Sequence, residues 1–385
     1  MTRRDRTRLG RRGAAVALVA GAAAVALAVS ATPAAAAVGA FKARVLIKAK
    51  CLDGWTQTSS TGVTRGVLQC ETAATGTELV LFTGNGTTWT KIRTGVNGRP
   101  VAFADDGTSY FALYEPPNAK GAVLLLKRNH STGAQTKITI RAATTATADD
   151  YLHSGALLVS GGKYWVAYTV NNGALLWGKT LTKQNLVPAL PATMPAVFGW
   201  QPSLARTGTG SVAMVVAQPP PFEAGIIVRY RTKADGTWIR YVVRSGGGGV
   251  APQISWSGGV TRISWLERTA TGDYKAVYQD NATGSWVRTT VPGLPGNGWP
   301  RLRMFTSGGK LTFVYSGHPV GTRTTEGQVV VSQRSGTTWS TTALSTSSYG
   351  NLLLGAGSAS GKTIVVFYPR FDPDLDRGVY SRRQA

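Results

Sequence analysis

Histidine, cysteine and acidic residues are scarce in this chain of 385 residues, and the shortages exclude several kinds of site. The three histidines, His130, His153 and His318, are not spaced as a zinc-binding pair, which argues against a zinc centre. No Gly-x-Ser-x-Gly segment marks a hydrolase nucleophile. The glycine run at 246–249 is interpreted as a link between structural units and not as a phosphate-binding loop. We therefore expect no resident organic cofactor.

Long hydrophobic runs are also absent, except at the N-terminus. An uncharged Ala/Val/Leu run over residues 14–29 follows six arginines and precedes the small residues ATPAAAAV. This pattern predicts a secretory signal peptide over residues 1–37, cleaved near Ala36 or Ala37. The Arg11-Arg12 pair leaves the twin-arginine route open, but the general secretory route is favoured. No other run reaches the roughly 18 apolar residues of a membrane span, so we expect a secreted, extracellular protein.

Positive charge is abundant: 42 Lys and Arg stand against 18 Asp and Glu, a formal net charge of +24. Removal of residues 1–37 takes away six arginines and one aspartate, which leaves 36 basic and 17 acidic residues and a net charge of +19. Such a basic protein attracts acidic glycans or phosphate-rich wall polymers. The alternative is that the scattered charge serves only solubility and surface retention. No nucleic-acid-binding motif accompanies the charge, so no nucleic acid partner is expected.

The chain has only two cysteines, Cys51 and Cys70. In an exported protein we predict that they form a disulfide, which closes a loop of about 20 residues. Two free, buried thiols are the alternative.

Short β-rich runs separated by glycine turns recur through the rest of the chain. The repeating units cover about 52–95, 96–141, 149–190, 197–246, 248–293, 297–346 and 349–385. The last unit lacks one run, and the run at 42–50 has no unit of its own. We predict an all-β, seven-bladed β-propeller over residues 38–385, with four-stranded antiparallel blades and the N-terminal strand completing the last blade. Six or eight blades are the alternatives.

A turn near the C-terminus carries a family resemblance. SQRSGTTW, residues 332–339, matches seven of the eight positions of the Asp-box turn Ser-x-Asp-x-Gly-x-Thr-Trp, with Arg334 in place of Asp. The chain thus resembles the sialidase-like (BNR repeat, Asp-box) β-propellers in architecture. The resemblance implies that the tryptophans of this turn and its looser copies are core anchors: Trp89, Trp238, Trp286 and Trp339.

Sialidases use an arginine triad, a Tyr/Glu nucleophile pair and an Asp acid/base. Arg99, which precedes Pro100, resembles the first arginine of that triad, and the other members have no matching motif here. Glycoside hydrolysis needs two carboxylates across one site. Glu115 and Glu267, which end predicted second strands, are the candidates, with Asp273 and Glu326 as further ones. Solvated loop carboxylates are the alternative.

The longer loops are predicted to lie on one face of the ring, where binding residues usually concentrate. The connections into the inner strands on that face repeat an aromatic residue followed by polar ones, a combination that suits sugar binding. The candidate ligand-binding residues are Trp55, Arg99, Tyr151, His153, Trp200, Gln201, Trp299, Arg301 and Tyr349. Packing between blades is the alternative for each aromatic residue.

The segment FDPDLDRG places carboxylates at alternate positions, a spacing that can bind calcium: Asp372, Asp374 and Asp376. A polar turn without metal is the alternative.

Three functions stay open at this point. The first is a secreted, monomeric, non-catalytic propeller that binds carbohydrate or another anionic extracellular or cell-wall polymer. The second is a sialidase-like exo-glycosidase with a diverged site, and the third is a protein-interaction scaffold. The fold alone cannot choose among them, because propellers host unrelated activities.

Overall fold

The computed structural model describes parts of the chain between Phe41 and Gln384, and the predicted signal peptide lies outside them. The described residues are 41–47, 51–58, 63–72, 76–85, 87–119, 121–143, 152–160, 163–170, 175–180, 200–208, 211–217, 227–232, 238–244, 249–270, 274–292, 297–318, 328–345, 353, 355–359, 363–370 and 378–384. These residues form strands and turns and contain no helix.

The described strands form seven antiparallel sheets. The first strand of the chain is β1 (Phe41–Ile47). The first sheet contains β2 (Cys51–Thr58), β3 (Thr64–Thr72), β4 (Gly76–Gly84) and β5 (Trp89–Arg93). The second contains β6 (Arg99–Asp105), β7 (Ser109–Glu115), β8 (Val123–Asn129) and β9 (Gln135–Arg141). The third contains β10 (Leu152–Ser160), β11 (Lys163–Val170) and β12 (Leu175–Thr180). The fourth contains β13 (Trp200–Thr207), β14 (Ser211–Ala217), β15 (Ile227–Thr232) and β16 (Trp238–Arg244).

The remaining sheets follow the same order. The fifth contains β17 (Gly249–Ser257), β18 (Val260–Arg268), β19 (Tyr274–Asp280) and β20 (Val287–Thr290). The sixth contains β21 (Asn297–Ser307), β22 (Lys310–His318), β23 (Gln328–Ser335) and β24 (Thr338–Ser345). The seventh contains β25 (Gly355–Ala359), β26 (Thr363–Arg370) and β27 (Gly378–Gln384), with β1 on its outer edge. The fourth run predicted for the third unit lies outside the described residues.

The two ends of the chain meet in the seventh sheet. β1 pairs antiparallel with β27, from Phe41 opposite Gln384 to Ile47 opposite Val379. The prediction that the N-terminal strand completes the last sheet is confirmed.

Each sheet packs against the next one in the chain, mainly through its first strand. Apolar side chains fill these contacts; Leu81 of the first sheet and Tyr114 of the second, for example, belong to one buried cluster. The series returns to its start, because Leu46 of β1 and Val365 of β26 share a buried cluster with Leu68 and Phe82 of the first sheet. Sheets arranged in this cyclic way around their first strands form an all-β propeller.

The predicted disulfide is confirmed. Cys51 and Cys70 are bonded and lie opposite each other in the pairing of β2 with β3. Both are buried in the cluster that joins the seventh sheet to the first.

The tryptophans of the Asp-box-like turns differ in their packing. Trp89 contacts Phe82 edge-on at 5.7 Å between ring centroids, and Trp339 packs 5.8 Å from Phe313. Both lie inside strands. Trp286, in contrast, is 36% exposed, so its prediction as a core anchor is wrong. It lies in the turn before the four-residue strand β20, outside the pairing of β20 with β19 that ends at Val287. The Trp238 side chain lies outside the described residues.

In the turn at residues 332–339, an arginine in the Asp position reverses the direction of the hydrogen bond between this side chain and the turn. Arg334 Nε donates a hydrogen bond to the Gly336 carbonyl oxygen at 2.8 Å, and its guanidinium lies 5.7 Å from the Tyr278 ring centroid. A cationic donor to a turn carbonyl thus takes the place of a carboxylate that would accept from turn N–H groups.

Candidate ligand-binding site

The first strands of all seven sheets surround a cavity of about 480 Å³, which we call the central cavity. Its wall mixes apolar, amide, hydroxyl and cationic side chains. The lining residues are Trp55, Thr56 and Gln57 of β2, Ala102 and Phe103 of β6, Gly155, Ala156 and Leu157 of β10, Pro202, Ser203 and Leu204 of β13, Gln253 and Ile254 of β17, Arg303, Met304, Phe305 and Thr306 of β21, and Ala356 and Gly357 of β25.

The seventh sheet contributes the least bulk to this wall, because the sequence of β25 is GAGSA. β25 also approaches β2 closely: a Cβ atom at Gly355 would lie 2.4 Å from Thr56 Oγ1. The Thr56 hydroxyl donates a hydrogen bond to the Ala356 carbonyl oxygen at 3.3 Å. Glycine is required at position 355 for this close approach.

Two side chains of the sixth sheet reach the first sheet across β25. Arg301 Nη1 lies 2.8 Å from Asp53 Oδ1 in an ion pair. The guanidinium of Arg303 stacks over the Trp55 ring at 4.5 Å from its centroid. The small residues of β25 leave the space that both contacts need.

Arg303 is the most perturbed cation of the cavity. Burial and, to a smaller extent, the positive charge of Arg301 lower its pKa to about 10, although Asp53 partly opposes both effects. The group is therefore still protonated at neutral pH. Its Nη1 donates to the Leu302 carbonyl oxygen at 3.0 Å, and no carboxylate among the described residues forms an ion pair with it.

Six of the seven first strands have an irregular register near their start, and side chains there join neighbouring sheets. In β13 and β17 the irregularity lies beside a proline. Gln201 and Ala251, which precede those prolines, have a left-handed φ of 51°. Gln201 N–H donates to Ser154 Oγ at 2.9 Å, and Gln201 Oε1 accepts from Ala251 N–H. Gln201, a predicted ligand-binding residue, thus links the third, fourth and fifth sheets.

A second cavity, of about 250 Å³, lies between the first and second sheets; we call it the inter-sheet pocket. It brings together two predicted residues, since Arg99 Nη2 lies 3.1 Å from Glu115 Oε2. Gly121 N–H donates to Glu115 Oε1 at 3.3 Å. The complete lining is Gln69, Thr77, Gly98, Arg99, Glu115, Pro116 and Pro117.

The chain is similar to known proteins in structure but not in sequence. No protein-family model matches the chain, and no curated protein matches it in sequence. Among solved structures, the endosialidase of phage phi92 is similar with a TM-score of 0.51 and 11% identity, over 90% of this chain and 69% of the other. The Trypanosoma rangeli sialidase in complex with sialic acid has a TM-score of 0.50 and 11% identity, over 91% of this chain and 60% of the other. A protein of unknown function from Dyadobacter fermentans has a TM-score of 0.51 and 11% identity, over 91% and 99%.

The chain resembles the sialidase-like β-propellers in architecture. At these identities the likeness establishes the fold and says nothing of the site, which rests on this chain's own residues.

The two candidate catalytic carboxylates lie in different sheets. Glu115 ends β7 of the second sheet and is paired with Arg99 in the inter-sheet pocket. Glu267 is buried near the end of β18 of the fifth sheet, where Arg288 forms an ion pair with it and Lys275 Nζ lies 3.9 Å away. Neither carboxylate is among the residues that line the central cavity.

Trp55 lies elsewhere than the sequence predicts. It was expected in a connection before the first inner strand, but it lies inside β2, because that strand already begins at Cys51. Its Nε1–H donates to the Pro100 carbonyl oxygen at 3.2 Å, and its ring faces the central cavity. It therefore both joins the first two sheets and lines a binding space.

Several predicted residues cannot be placed as side chains. The backbones of His153, Trp200 and Trp299 lie in β10, β13 and β21, but their side chains lie outside the described residues. Outside them altogether are Tyr151, Asp273, Glu326, Tyr349, Asp372, Asp374 and Asp376. The calcium hypothesis therefore stays a prediction.

The sequence reasoning missed Arg303 and Asp53. A signal for Arg303 was present, because it follows the predicted residue Arg301 by two positions in a strand, and such residues share a face. No sequence signal marked Asp53, because only the packing of the sheets brings it to Arg301.

No helix with the length and hydropathy of a membrane span occurs in the described part of the chain. Within the same residues, no three His, Cys, Asp or Glu side chains are grouped closely enough to bind a metal.

Proposed function

We propose that this protein is a secreted, seven-bladed, non-catalytic propeller that binds carbohydrate, or another anionic extracellular or cell-wall polymer, through its loop-rich face. In this proposal residues 1–37 are a signal peptide, each sheet is one blade, and residues 38–385 form a monomeric extracellular domain. The observation that carries the proposal is the inter-sheet pocket, in which Arg99 and Glu115 lie side by side.

The chemistry of the inter-sheet pocket suits a sugar. Adjacent hydroxyl groups of a sugar both donate and accept hydrogen bonds, and here a guanidinium donor stands next to a carboxylate acceptor. Pro116 and Pro117 supply an apolar wall beside this pair. The Arg99 side chain is 36% exposed, so a ligand can reach it. The net charge of +19 that remains without residues 1–37 adds a general attraction for acidic polymers.

The placement of the carboxylates favours binding over catalysis. Retaining or inverting hydrolysis needs two carboxyl groups within about 5 to 9.5 Å of each other across one site. Glu115 and Glu267 lie in the second and fifth sheets, and each is engaged by arginine. A sialidase-like exo-glycosidase with a diverged site is the second candidate, supported by the architecture that the chain shares with two sialidases.

A glycan array followed by calorimetry tests the proposal. We expect a glycan ligand that remains bound at 0.5 M salt, where screening of charge acts over about 3 to 8 Å. Arg99→Gln and Glu115→Gln should each weaken binding about tenfold or more, or about 1.4 kcal/mol. Arg268→Gln is the matched control, because Arg268 is an exposed arginine at the end of a second strand in another sheet.

The same experiment separates the alternatives. Equal binding by the wild type and both pocket variants would contradict the assignment of the pocket, and absence of any glycan ligand would contradict the function. Hydrolysis of aryl glycosides that is lost in Glu115→Gln or Glu267→Gln would establish the glycosidase instead.

A further inference from the structure

The central cavity contains one more positive charge than its described neighbours neutralise. Arg301 is paired with Asp53 at 2.8 Å, which leaves Arg303 as the cation without a carboxylate partner among the described residues. Arg303 is half-buried, and a charge partly removed from water without a counter-charge costs free energy. A bound anion would supply that counter-charge.

The orientation of Arg303 is held from one side. Its guanidinium carbon lies over the Trp55 ring at 4.5 Å from the centroid, and Trp55 donates a hydrogen bond to the Pro100 carbonyl oxygen. Stacking occupies the face of the guanidinium and leaves its edge, which carries the N–H donors, available in the plane. Only Nη1 has a protein acceptor among the described residues, the Leu302 carbonyl oxygen.

The fourth sheet adds a neutral donor to the cavity wall. Ser203 Oγ, which also lines the central cavity, accepts a hydrogen bond from Ile254 N–H at 3.1 Å, and its own hydroxyl proton has no acceptor among the described residues. The space of about 480 Å³ is many times the roughly 30 Å³ that one water occupies, which is room for an anionic group with its hydration or for the larger molecule that carries it.

We propose that the central cavity binds an oxyanion, a phosphate, sulfate or carboxylate group, with Arg303 as its main partner and Trp55 as the platform that orients Arg303. This site is separate from the inter-sheet pocket and does not depend on glycan binding there. The N–H groups at the edge of the Arg303 guanidinium lie in one plane, and their spacing matches the oxygen atoms of an oxyanion.

Calorimetry and thermal melting on the secreted protein at pH 7 test the site with three probes: inorganic phosphate, inorganic sulfate and acetate, each compared with chloride at equal ionic strength. We expect saturable binding and a saturable rise in melting temperature with at least one probe. Comparison of the tetrahedral anions with acetate then identifies the class of group. Arg303→Gln should weaken that binding at least tenfold, whereas Arg99→Gln and Arg268→Gln should leave it unchanged.

The variants also separate binding from a structural role. In chloride alone, Arg303→Gln should melt at or above the wild-type temperature, because it removes an uncompensated charge. Should that variant fail to fold, Arg303→Lys keeps the charge but loses the planar geometry, and it should bind several-fold more weakly. No saturable effect of any probe on the wild type, or the same effect in the Arg303 variants, would overturn the proposal. Loss of glycan binding in Arg99→Gln with retained oxyanion binding would show that the two sites are independent.

Discussion

The disulfide between Cys51 and Cys70 should stabilise the propeller chiefly by restricting the unfolded chain. The bond closes a loop of 20 residues between two adjacent strands. Loop-closure entropy for that length corresponds to about 3 kcal/mol at 25 °C. Because proteins are stable by only about 5–15 kcal/mol in total, this is a large fraction.

The position of the disulfide adds a second effect. Both sulfur atoms are buried in the cluster that contains Leu46 of β1 and Val365 of β26, so they also pack where the two ends of the chain meet. Reduction of the wild type removes the cross-link and keeps the sulfur atoms. The double variant Cys51→Ala, Cys70→Ala removes both, and should lose about 1 kcal/mol more for each deleted buried group.

Denaturant unfolding of the oxidised, reduced and double-variant proteins measures these losses separately. We expect the order oxidised, reduced, double variant, with about 3 kcal/mol between the first two. At roughly 2 cal/mol/K of unfolding entropy per residue, the same loss lowers the melting temperature of about 350 residues by about 4 °C. Equal midpoints for the oxidised and reduced proteins would refute the entropic reasoning. Equal midpoints for the reduced protein and the double variant would refute the packing contribution.

Three further predictions follow from packing and titration. Gly355→Ala should destabilise the protein by about 1–3 kcal/mol, because the new Cβ would meet Thr56, and Thr56→Ala should restore part of the loss in a double-variant cycle of urea unfolding. Burial raises the pKa of Tyr315 to about 12 from an ordinary value of 10.0, so the folded protein keeps a proton that the unfolded chain loses between pH 10 and 12. The free energy of unfolding should therefore fall across that window by up to about 1.4 kcal/mol per pH unit, and Tyr315→Phe should flatten the fall in urea titrations. Trp339→Ala should cost about 3 kcal/mol in the same assay, whereas Trp286→Ala, at an exposed position, should cost under about 1 kcal/mol.

Each of these has an outcome that contradicts it. A stable Gly355→Ala variant would mean that β25 and β2 do not approach as described. A pH dependence unchanged by Tyr315→Phe would assign the alkaline loss to other groups, and equal costs at both tryptophans would contradict the difference in their packing.

The arrangement of strands was predictable because it depends on local signals. Alternating apolar runs and glycine turns mark most strands, and the lone run near Lys42 required a partner sheet, which β27 provides. Trp286 shows the limit of this reasoning. The turn DNATGSW resembles SQRSGTTW in letters, but Trp339 is paired with Arg334 inside the sixth sheet, whereas Trp286 precedes β20.

The site was less predictable because its residues come from distant parts of the chain. Arg99 and Glu115 each stood out alone, but their pairing follows from the register of β6 with β7. Arg303 meets Trp55 only because GAGSA leaves space between them, and no local pattern around either residue indicates that contact. Arg288, which forms an ion pair with Glu267 of β18, likewise lies two strands later, in β20.

The pairing of β1 with β27 affects how the chain folds during synthesis. The two strands lie about 340 residues apart in sequence, so β1 cannot pair until β27 has been synthesised. Until then Leu46 and the apolar surface of the first sheet are exposed to solvent. Intermediates with such exposed surface are prone to aggregate, and long-range pairing forms slowly. Truncation that removes β27 would therefore prevent closure of the whole cycle of sheets, and its effect would not be limited to one edge strand.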